Sequence, residues 1–553
     1  MAEFDLKIIP LGGVGEFGMN MVVYETVSDI IIIDCGMMFP ENYMLGVDCV
    51  IPDITYLKEN KEKIRAIVIT HSHEDHIGGL PYILPELDVP VAGSPLSLEM
   101  IHEKLIEFEL ADSLKQVPAG NGEILKFGDF EVEFIKVSHS IPDAATLAIK
   151  TPSGTIIHSG DFKFDLTPAD NLPIPFESYV KYAERGILAL LSDSTNSEQN
   201  GFSRSELEIV PVIYDIIKNA RQKVIVTLFS SNLIRIQKIF DIAEKLERKV
   251  FILGRSLLAN IRIARKLEYI KVCDDLIYDI TEINDYPPEE VILITTGSQG
   301  EPNSALLLMS TGSHKHVKLQ QGDTVILSSK MIPGNEKAIG SMINNLYRKN
   351  AEVFYEKIAD IHVSGHGYAE EQKLLINLVK PKYFFPIHGE YRHLLLHAKT
   401  AEKSGIPKGN IKIVTNGDVI KFQNGICEIS EKVESGRVFV DGKGVGDVGS
   451  IVLKDRKHLS EDGVVVSVIA LNLKTGEIVS GPDLLTKGFV FEEENMELLE
   501  KAKELVIKAV GDMSLDAKSD KMEIQEEVRV TLRRFFNKVI RRKPIIFSIV
   551  VDM

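Results

Sequence analysis

The sequence predicts an α/β protein whose candidate functional residues lie where β-strands end. Two observations support this. Four apolar runs typical of strands lead directly into histidine or aspartate: Ile64 to Thr70 into His71, Val132 to Val137 into His139, Thr155 to His158 into Asp161, and Tyr383 to Ile387 into His388. From about Leu207 to Asp360, helix and strand patterns alternate without a ligand histidine. Because open α/β sheets place their sites at strand ends, these residues are expected to share one site.

The motif His71-Ser72-His73-Glu74-Asp75-His76 carries the strongest signal. Side chains alternate along an extended chain, so His71 and His73 point to one side, while Asp75 and His76 turn back over a neighbouring position. Imidazoles favour zinc or a similar metal, and a carboxylate can bridge two ions. The alternative is a solvated histidine-rich turn, which so dense a cluster of ligand types disfavours.

Each later residue is weak evidence by itself. A single histidine or aspartate after a strand is more often a turn or capping residue than a ligand. A site for two metal ions, however, needs more ligands than one turn supplies. The recurrence of His139, Asp161 and His388 after other strands therefore favours a binuclear site.

In these motifs the chain resembles the metallo-β-lactamase fold and, within it, the β-CASP nucleases. Asp34, the His71-to-His76 motif, His139 and Asp161 match the fold's motifs, and Asp193, His366 and His388 match the β-CASP additions. The segments Leu11 to Glu16, Phe39 to Glu41 and Ile51 to Asp53 make it similar to the bacterial ribonuclease J family over essentially the whole chain. No metal-ligand position of the pattern is missing, which favours an active enzyme over a degenerate paralogue.

The resemblance implies two Zn²⁺ ions per subunit, with Mn²⁺ or Mg²⁺ possible in their place. It assigns His71, His73, His139 and Asp161 to one ion, and Asp75, His76, Asp161 and His388 to the other. Asp161 is expected to bridge, since a carboxylate can span two ions. Asp34 is expected to accept a hydrogen bond from the ligand loop or a ligand imidazole instead of binding metal.

The expected chemistry is phosphodiester hydrolysis. Two cations would acidify a water molecule and neutralise charge on the phosphate. Asp75 is the candidate to position that water. His366 is the candidate to protonate the leaving ribose oxygen, with Asp193 orienting a nearby imidazole. The alternative for His366 is a histidine simply satisfied inside a glycine-rich turn.

Two segments are candidates for binding RNA phosphates, including a 5′ monophosphate. Ser230, Ser231 and Asn232 follow the strand Val224 to Leu228 and precede a helical run. Ser364, Gly365 and His366 are expected to offer backbone N–H groups. The resemblance assigns both segments to the phosphate pocket, although an ordinary helix cap is the alternative for the first. The turn Thr296 to Glu301 is a weaker candidate of the same kind.

A dinucleotide-binding pattern, G-x-G-x-x-G, is present at Gly13 to Gly18, with Asp34 near the place of a ribose-binding acid. The residues that follow, Met19 to Tyr24, predict a strand and not the helix on which a pyrophosphate would rest. These glycines are therefore expected to shape a hairpin beside the metal site.

The composition is that of an ordinary globular protein, with 44% hydrophobic and 26% charged residues. Its 553 residues predict about two to four domains. Cys35, Cys49, Cys273 and Cys427 lack paired spacing, which favours a reducing cytoplasm over a disulfide framework. Neither a signal-peptide pattern nor a bilayer-length apolar run is found, so secretion and membrane insertion are disfavoured.

The net charge of −17 disfavours RNA binding over a broad basic surface. It is compatible with an enzyme that draws a single strand through a local channel toward cations. The candidate basic positions are Arg255, Lys330, Lys337, Arg392 and the run Arg541-Arg542-Lys543. A solvated face remains the usual explanation for each of them.

The order of motifs, with the resemblance, implies a metallo-β-lactamase αββα sandwich with an inserted β-CASP α/β domain and a small C-terminal α/β domain. The expected bounds are 1–206 and 361–432 for the sandwich, 207–360 for the insertion, 433–449 for a linker and 450–553 for the last domain. That domain is expected to contain strands at Val464 to Ala470 and Pro544 to Val551 and a helix at Met522 to Ile540. The resemblance implies that it supports oligomerisation.

We therefore expect a cytoplasmic, metal-dependent ribonuclease of RNA maturation and decay. It would degrade single-stranded RNA from a 5′-monophosphorylated end and also cut internally. The expected partners are RNA, further copies in a homodimer or homotetramer, and other RNA-decay proteins or the ribosome, but no membrane. Two alternatives stay open: a hydrolase of a small ester, thioester or lactam, and a non-catalytic RNA-binding subunit of a heteromeric nuclease complex.

Overall fold

A computed structural model describes residues 4–332, 334–442, 444–490 and 495–553. The chain forms two compact units, Met1–Phe39 with Cys49–Val438, and Pro40–Asp48 with Phe439–Met553. The division falls inside the segment 433–449, which the sequence predicts as a linker. Within the described ranges, no helix is both long and apolar enough to cross a bilayer.

The first part of the larger unit is rich in strands of isoleucine and valine. Its strands are β1 (Leu6–Gly12), β2 (Val14–Gly15), β3 (Met21–Glu25), β4 (Ile30–Ile33), β5 (Cys49–Pro52), β6 (Ile64–Val68), β7 (Val91–Gly93), β8 (Gln116–Pro118), β9 (Ile124–Phe127), β10 (Phe130–Lys136), β11 (Ala145–Thr151), β12 (Gly154–His158) and β13 (Ile187–Asp193). Its helices are α1 (Thr55–Glu59), α2 (Glu74–Ile77), α3 (Leu80–Leu87), α4 (Pro95–Glu107) and α5 (Phe176–Arg185). Strands β3, β4 and β13 are buried at every position, as expected where both sheet faces are covered.

The segment from 206 to 354 forms a parallel sheet with helices between its strands, as the alternating pattern predicts. Its strands are β14 (Val224–Thr227), β15 (Lys249–Leu253), β16 (Ile277–Tyr278), β17 (Val291–Thr295), β18 (Thr324–Leu327) and β19 (Glu352–Phe354). Its helices are α6 (Glu206–Asn219), α7 (Leu233–Lys245), α8 (Arg255–Lys266), α9 (Ala305–Thr311) and α10 (Glu336–Arg348). The strand order is β16-β15-β17-β14-β18-β19. Leu96, Met100 and Ile141 from the preceding part share its core, which explains why both parts form one unit.

The chain then returns to the first part. This return contains α11 (Ala369–Val379), β20 (Tyr383–Ile387), β21 (Gly389–Glu390), α12 (Tyr391–Lys403), β22 (Asp418–Gln423) and β23 (Ile426–Lys432). Two sheets result, with orders β23-β22-β1-β3-β4-β6-β7-β8 and β20-β13-β12-β11-β10-β9. Apolar residues of both sheets form one core cluster, so the sheets pack face to face. Helices α5, α11 and α12 pack against the second sheet, and α4 contacts β7 of the first.

The sheet pairing brings the candidate ligands together. Strands β12, β13 and β20 are parallel neighbours, so Asp161, Asp193 and His388 lie at or just beyond the carboxyl ends of adjacent strands. Strands β4 and β6 are parallel in the other sheet, and Asp34 and the His71-to-His76 motif follow them. The glycines after β1 lead into β3, which pairs with β1 antiparallel. This is the predicted hairpin, and a strand follows where a dinucleotide fold would have a helix.

The smaller unit differs from its expectation at its start. Its elements are β24 (Arg437–Asp441), which begins just before the division, β25 (Gly444–Val445), α13 (Ser450–Asp462), β26 (Val464–Asn472), β27 (Glu477–Lys487), α14 (Met496–Gly511), α15 (Leu515–Lys518), α16 (Lys521–Ile540) and β28 (Ile545–Asp552). The segment predicted as a linker thus contains the antiparallel strands β24 and β25. Residues 40–48 also belong here, since the N–H of Asp48 donates to the Val440 carbonyl at 2.8 Å. The predicted strands and helix of this domain are confirmed as β26, β28 and α16.

Candidate metal centre

Three histidines point ring nitrogens toward one place beside Asp161. The Nδ1 of His73 lies 3.0 Å from the Nε2 of His71 and 3.1 Å from the Nε2 of His139. The Oδ2 of Asp161 lies 3.6 Å from the Nε2 of His71 and 3.8 Å from that of His139. We call these four residues the three-histidine cluster; their ligand atoms all lie within 4.8 Å of one another.

A second group of candidate ligands also meets at Asp161. The Nε2 of His76 is 3.3 Å from the Oδ2 of Asp161 and 3.6 Å from the Oδ2 of Asp75. The Nε2 of His388 is 3.2 Å from the same oxygen of Asp75. We call Asp75, His76, Asp161 and His388 the two-carboxylate cluster. A single oxygen of Asp161, its Oδ2, faces both clusters.

The donor atoms of the three-histidine cluster fit a divalent cation. The Nδ1–H of His139 donates to the Gly365 carbonyl at 2.7 Å, so its Nε2 presents a lone pair to the cluster. Burial and neighbouring imidazoles lower the pKa of His71 and His139, and burial lowers the pKa of His73 to about 4. Neutral imidazole nitrogens about 3 Å apart are held favourably by a shared cation, and the ligand atoms of a tetrahedral zinc site are roughly 3.3 to 3.5 Å apart.

The two-carboxylate cluster has the opposite electrostatics. Burial opposes the charged form of His76, but Asp161, Asp75 and Asp34 outweigh it and raise the pKa. The pKa of His388 is raised in the same way, against its burial, by Asp161, Asp193 and Asp75. This cluster therefore attracts positive charge strongly, which suits a divalent cation as well as a proton.

Asp34 and His388 both adopt left-handed backbone conformations, with φ of 62° and 54°. Such conformations are uncommon for residues other than glycine and are often found at functional sites. The Oδ1 of Asp34 accepts from the Thr70 N–H at 2.8 Å, and its Oδ2 accepts from the His76 Nδ1–H at 2.7 Å. Asp34 thus contacts the His71-to-His76 loop and the imidazole of a candidate ligand without belonging to either cluster.

Asp193 contacts two imidazoles with its two oxygens. Its Oδ1 lies 3.2 Å from the Nδ1 of His388 and accepts from the Thr195 hydroxyl at 2.6 Å. Its Oδ2 accepts from the Nδ1–H of His366 at 2.8 Å. The other nitrogen of His366 lies 3.8 Å from the Oδ2 of Asp161, and the His366 side chain is 20% exposed. One carboxylate therefore orients both a candidate ligand and the candidate acid.

The pKa of His366 is raised although burial alone would lower it, because the charges of Asp193 and Asp161 favour the imidazolium. Its ring stacks on that of His388, with centroids 5.5 Å apart and planes at 20°. Asp161, Asp193, His366 and His388 also place ligand-type atoms within 4.8 Å of one another. The short contacts from Asp193 to both rings are those of hydrogen bonds, which accounts for this grouping without an ion.

The two phosphate-binding candidates lie in different settings. Gly365 lies against the three-histidine cluster, since a Cβ at this position would come within 2.7 Å of the Nδ1 of His139. The N–H of His366 is used internally, donating to the Ser364 hydroxyl at 3.1 Å. In the other segment, the side-chain oxygen of Asn232 accepts from the Arg235 N–H at 3.1 Å and caps α7. The observed contact of Asn232 is therefore that of an ordinary helix cap, the alternative to phosphate binding.

Ser230 and Ser231, in the same segment, are partly exposed. The carbonyl of Ser230 accepts from the Asn260 side chain at 3.0 Å. Their hydroxyls make no contact that contradicts phosphate binding, so the assignment of these two residues stays a prediction.

Sequence reasoning missed two buried residues beneath the clusters. The side-chain amide of Asn20 donates to the main-chain carbonyl oxygen of Asp75 at 3.0 Å. The backbone N–H of Asn20 donates to the same oxygen. The Nδ1 of His158 lies 3.0 Å from the hydroxyl of Tyr24, and burial lowers the pKa of His158 to about 4. The position of His158 at the end of a predicted strand could have indicated that it lies near the site. No local pattern indicates the role of Asn20, because its partner Asp75 lies 55 residues away.

Comparisons with known proteins agree with this geometry. Four family profiles match the chain: Metallo-beta-lactamase superfamily at 14–195, Ribonuclease J, beta-CASP domain at 221–346, Zn-dependent metallo-hydrolase RNA specificity domain at 352–413, and Ribonuclease J C-terminal domain at 451–553. A solved structure described as a protein of unknown function from Enterococcus faecalis V583 covers 75% of this chain and 100% of its own. Its TM-score is 0.54 at 15% identity, which shows a shared fold alone.

Two curated relatives match over nearly their whole lengths. Ribonuclease J2 of Bacillus subtilis strain 168 is 40% identical, covering 99% of each chain. Ribonuclease J 2 of Staphylococcus aureus strain MRSA252 is 39% identical, covering 99% of this chain and 98% of its own. Identity at this level over the full length shows common descent as well as a common fold. The chain belongs to the ribonuclease J family.

Proposed function

We propose that this protein degrades single-stranded RNA from a 5′-monophosphorylated end, and also cuts RNA internally, during RNA maturation and decay in the cytoplasm. As a ribonuclease J family member it is a metal-dependent RNA nuclease; the 5′-to-3′ direction, the end preference and the internal cleavage are our proposal. The observation that carries it is the meeting of two ligand clusters at Asp161, beside the paired side chains of Asp193 and His366. The four cysteines are free, which supports a reducing compartment.

The proposed ligands are His71, His73, His139 and Asp161 for one Zn²⁺, and Asp75, His76, Asp161 and His388 for the other, with Mn²⁺ or Mg²⁺ possible in their place. When bound, such cations make water nucleophilic near neutral pH and neutralise charge on the phosphate. Asp34 then fixes the orientation of the His76 ring through their hydrogen bond. Asp75, a third of whose side chain is exposed, accepts a hydrogen bond from the attacking water and positions it.

His366 protonates the leaving ribose oxygen. Its Nδ1–H is held by Asp193, so the Nε2 is the nitrogen left to give a proton toward the site. The raised pKa of His366 keeps that proton available near neutral pH. The hydroxyls of Ser230 and Ser231 and the backbone N–H groups of Ser364 and Gly365 are proposed to bind phosphates of the strand, including the 5′ end.

We also propose assembly into a homodimer or homotetramer through the C-terminal domain. On β28, Phe547 and Ile549 are 55% and 45% exposed, and Leu485 on β27 is 61% exposed. Strand β26 lies between them, with Val466 paired to both Phe547 and Leu485. Contiguous apolar patches of this kind are typical of protein interfaces. Other RNA-decay proteins or the ribosome are further proposed partners.

One RNA, prepared with a 5′ monophosphate or a 5′ triphosphate, tests the proposal. Each form is incubated with the protein, with and without a chelator, and products are resolved at single-nucleotide length. We expect chelator-sensitive release of mononucleotides that is faster from the monophosphate. His76→Ala should abolish it, whereas His458→Ala, an exposed histidine of α13, should not. Equal, chelator-resistant decay of both forms would contradict both the pocket and the metal mechanism.

A further inference from the structure

The first turn of α11 contains a carboxylate with an unusual number of hydrogen bonds. Glu371 is fully buried, and its side chain accepts from three backbone N–H groups and one hydroxyl. The donors are Phe164 N–H at 2.9 Å, Ser203 N–H at 2.6 Å, Ser203 Oγ at 2.8 Å and Tyr368 N–H at 2.7 Å. Hydrogen bonds to a charged acceptor are stronger than neutral ones, so this side chain anchors all three segments firmly.

These three segments are the ones that carry the reacting groups of the proposed mechanism. Phe164 lies three residues after Asp161, and Tyr368 lies two residues after His366. Ser203 lies where the chain leaves the Asp193 segment for α6. A helix cap explains only the bond to Tyr368, which closes a capping box. The other three bonds join the helix to the loops that contain Phe164 and Ser203, and helix capping does not require them.

The next residue of the same turn holds Asp193 directly. The Nε2 of Gln372, which is 1% exposed, donates to the main-chain carbonyl of Asp193 at 3.2 Å. Its Oε1 is buried without a hydrogen-bond partner among the described residues. An unpaired buried polar atom is costly, so Gln372 stabilises this part of the structure mainly through its one bond to the Asp193 carbonyl.

We propose that Glu371 and Gln372 are positioning residues that set the alignment of His366 with Asp193 and Asp161, and thereby the transfer of the proton to the leaving oxygen. The proposal rests on the proposed role of His366 as the acid. It assigns no contact with RNA or with a cation to either residue. Misplacement of a catalytic group by about 1 Å can cost about a hundredfold in rate, so loss of these anchors should slow proton transfer selectively.

The test compares two substrates that differ in their need for a proton. One is ordinary RNA; the other carries sulfur in place of the 3′ oxygen at the scissile bond, a leaving group that departs as a thiolate without protonation. For Glu371→Gln we expect kcat on ordinary RNA to fall about tenfold to a hundredfold. We expect KM and bound metal to stay within about twofold of wild type, and kcat on the sulfur substrate within about threefold.

Matched variants separate positioning from folding. Glu370→Gln changes the neighbouring, exposed glutamate, whose side chain pairs with Lys373, and should leave both substrates unaffected. Gln372→Leu replaces a side chain of similar volume and should reproduce the selective loss at about tenfold, which keeps the proposal testable if Glu371→Gln fails to fold. Equal loss on both substrates, or no loss on either, for the variants that fold would overturn the proposal.

His366→Ala separates the positioning proposal for Glu371 and Gln372 from the proposed role of His366 as the acid. If its loss on ordinary RNA is recovered on the sulfur substrate while the α11 variants show no selectivity, the positioning proposal alone fails. If His366→Ala is equally slow on both substrates, the role of His366 as the acid is wrong. If the wild-type protein shows no metal-dependent RNA hydrolysis, the proposed function fails as a whole.

Discussion

The two ligand clusters share Asp161 but differ in what surrounds their imidazoles. In the three-histidine cluster, the rings face one another, and the pKa values of His71, His73 and His139 are lowered. In the two-carboxylate cluster, nearby carboxylates raise the pKa values of His76 and His388 in spite of burial. The surroundings therefore favour the neutral form of the imidazole in one cluster and its protonated form in the other.

The two clusters are therefore expected to bind a cation in different ways. At the three-histidine cluster, the imidazole nitrogens already present lone pairs, so a cation has only to lose its own water to bind there. At the two-carboxylate cluster, it must displace protons, and it gains more Coulomb attraction in return. Two chemically similar ions could thus bind with different pH dependence, and the experiments below test that asymmetry.

The largest effect is expected for Asp161→Asn, because this residue is common to both clusters. An amide removes the charge that both ions would share, so both should be lost together. RNA hydrolysis should fall by about a thousandfold or more, since metal-assisted stabilisation contributes several kcal/mol. Bound metal is measured by plasma mass spectrometry alongside turnover, with His458→Ala as the control. Retention of both ions by the variant would show that Asp161 does not connect the clusters.

His139→Ala and His388→Ala should each remove one ion and leave the other cluster able to bind. Titration calorimetry in buffers of different ionisation enthalpy then reports the protons released on binding. Near pH 7 we expect about one to two protons from His139→Ala, which retains the two-carboxylate cluster, and fewer from His388→Ala. Because the pKa values of His76 and His388 are raised, these histidines hold protons that a bound cation must displace. The affinity of the two-carboxylate cluster for a cation therefore falls as the pH is lowered. Equal release would contradict the asymmetry.

The sequence indicated that the candidate ligands would converge because each of them lies at or just after the end of a strand. Apolar runs such as Ile64 to Thr70 and Tyr383 to Ile387 mark strands, and the polar residue after each is placed by that strand's end. The chain from β12 through β13 to β20 then brings Asp161, Asp193 and His388 together by parallel pairing, which the order of motifs in the family resemblance implied.

The residues that escaped prediction act through contacts between distant positions. Asn20 reaches Asp75, and Glu371 reaches Phe164 and Ser203; nothing in the local pattern indicates these pairs. The prediction of a linker at the glycine-rich segment 433–449 was wrong for a related reason. Glycines indicate a hairpin turn as readily as a linker, and only pairing partners distinguish the two. Residues 40–48 joined the smaller unit through such a partner, Val440.

A moderate effect is expected for Asp34→Asn. Asp34 orients His76 and holds Thr70, so the variant should lower cation affinity about tenfold to a hundredfold, the usual cost of losing a residue that orients a metal ligand. The loss should fall mainly on the two-carboxylate cluster. A titration of the Asp34→Asn and His139→Ala double variant against His139→Ala isolates that cluster. A loss confined to the three-histidine cluster would show that Thr70, and not His76, transmits the effect.

The smallest effect on activity is expected for Tyr24→Phe. This variant tests whether the buried pair Tyr24 and His158 contributes to stability alone and not to activity. The Tyr24 hydroxyl meets His158, a neutral and buried histidine that belongs to neither cluster. Removing the hydroxyl leaves a buried ring nitrogen without that partner, at a cost of about 1 to 3 kcal/mol in the free energy of unfolding. Turnover should stay within about threefold, because the ligands keep their own hydrogen bonds. Denaturant unfolding and RNA hydrolysis are compared with Tyr43→Phe, whose hydroxyl is exposed. A large fall in activity with unchanged stability would mean that His158 tunes the metal centre electrostatically, and the boundary of the site would then include it.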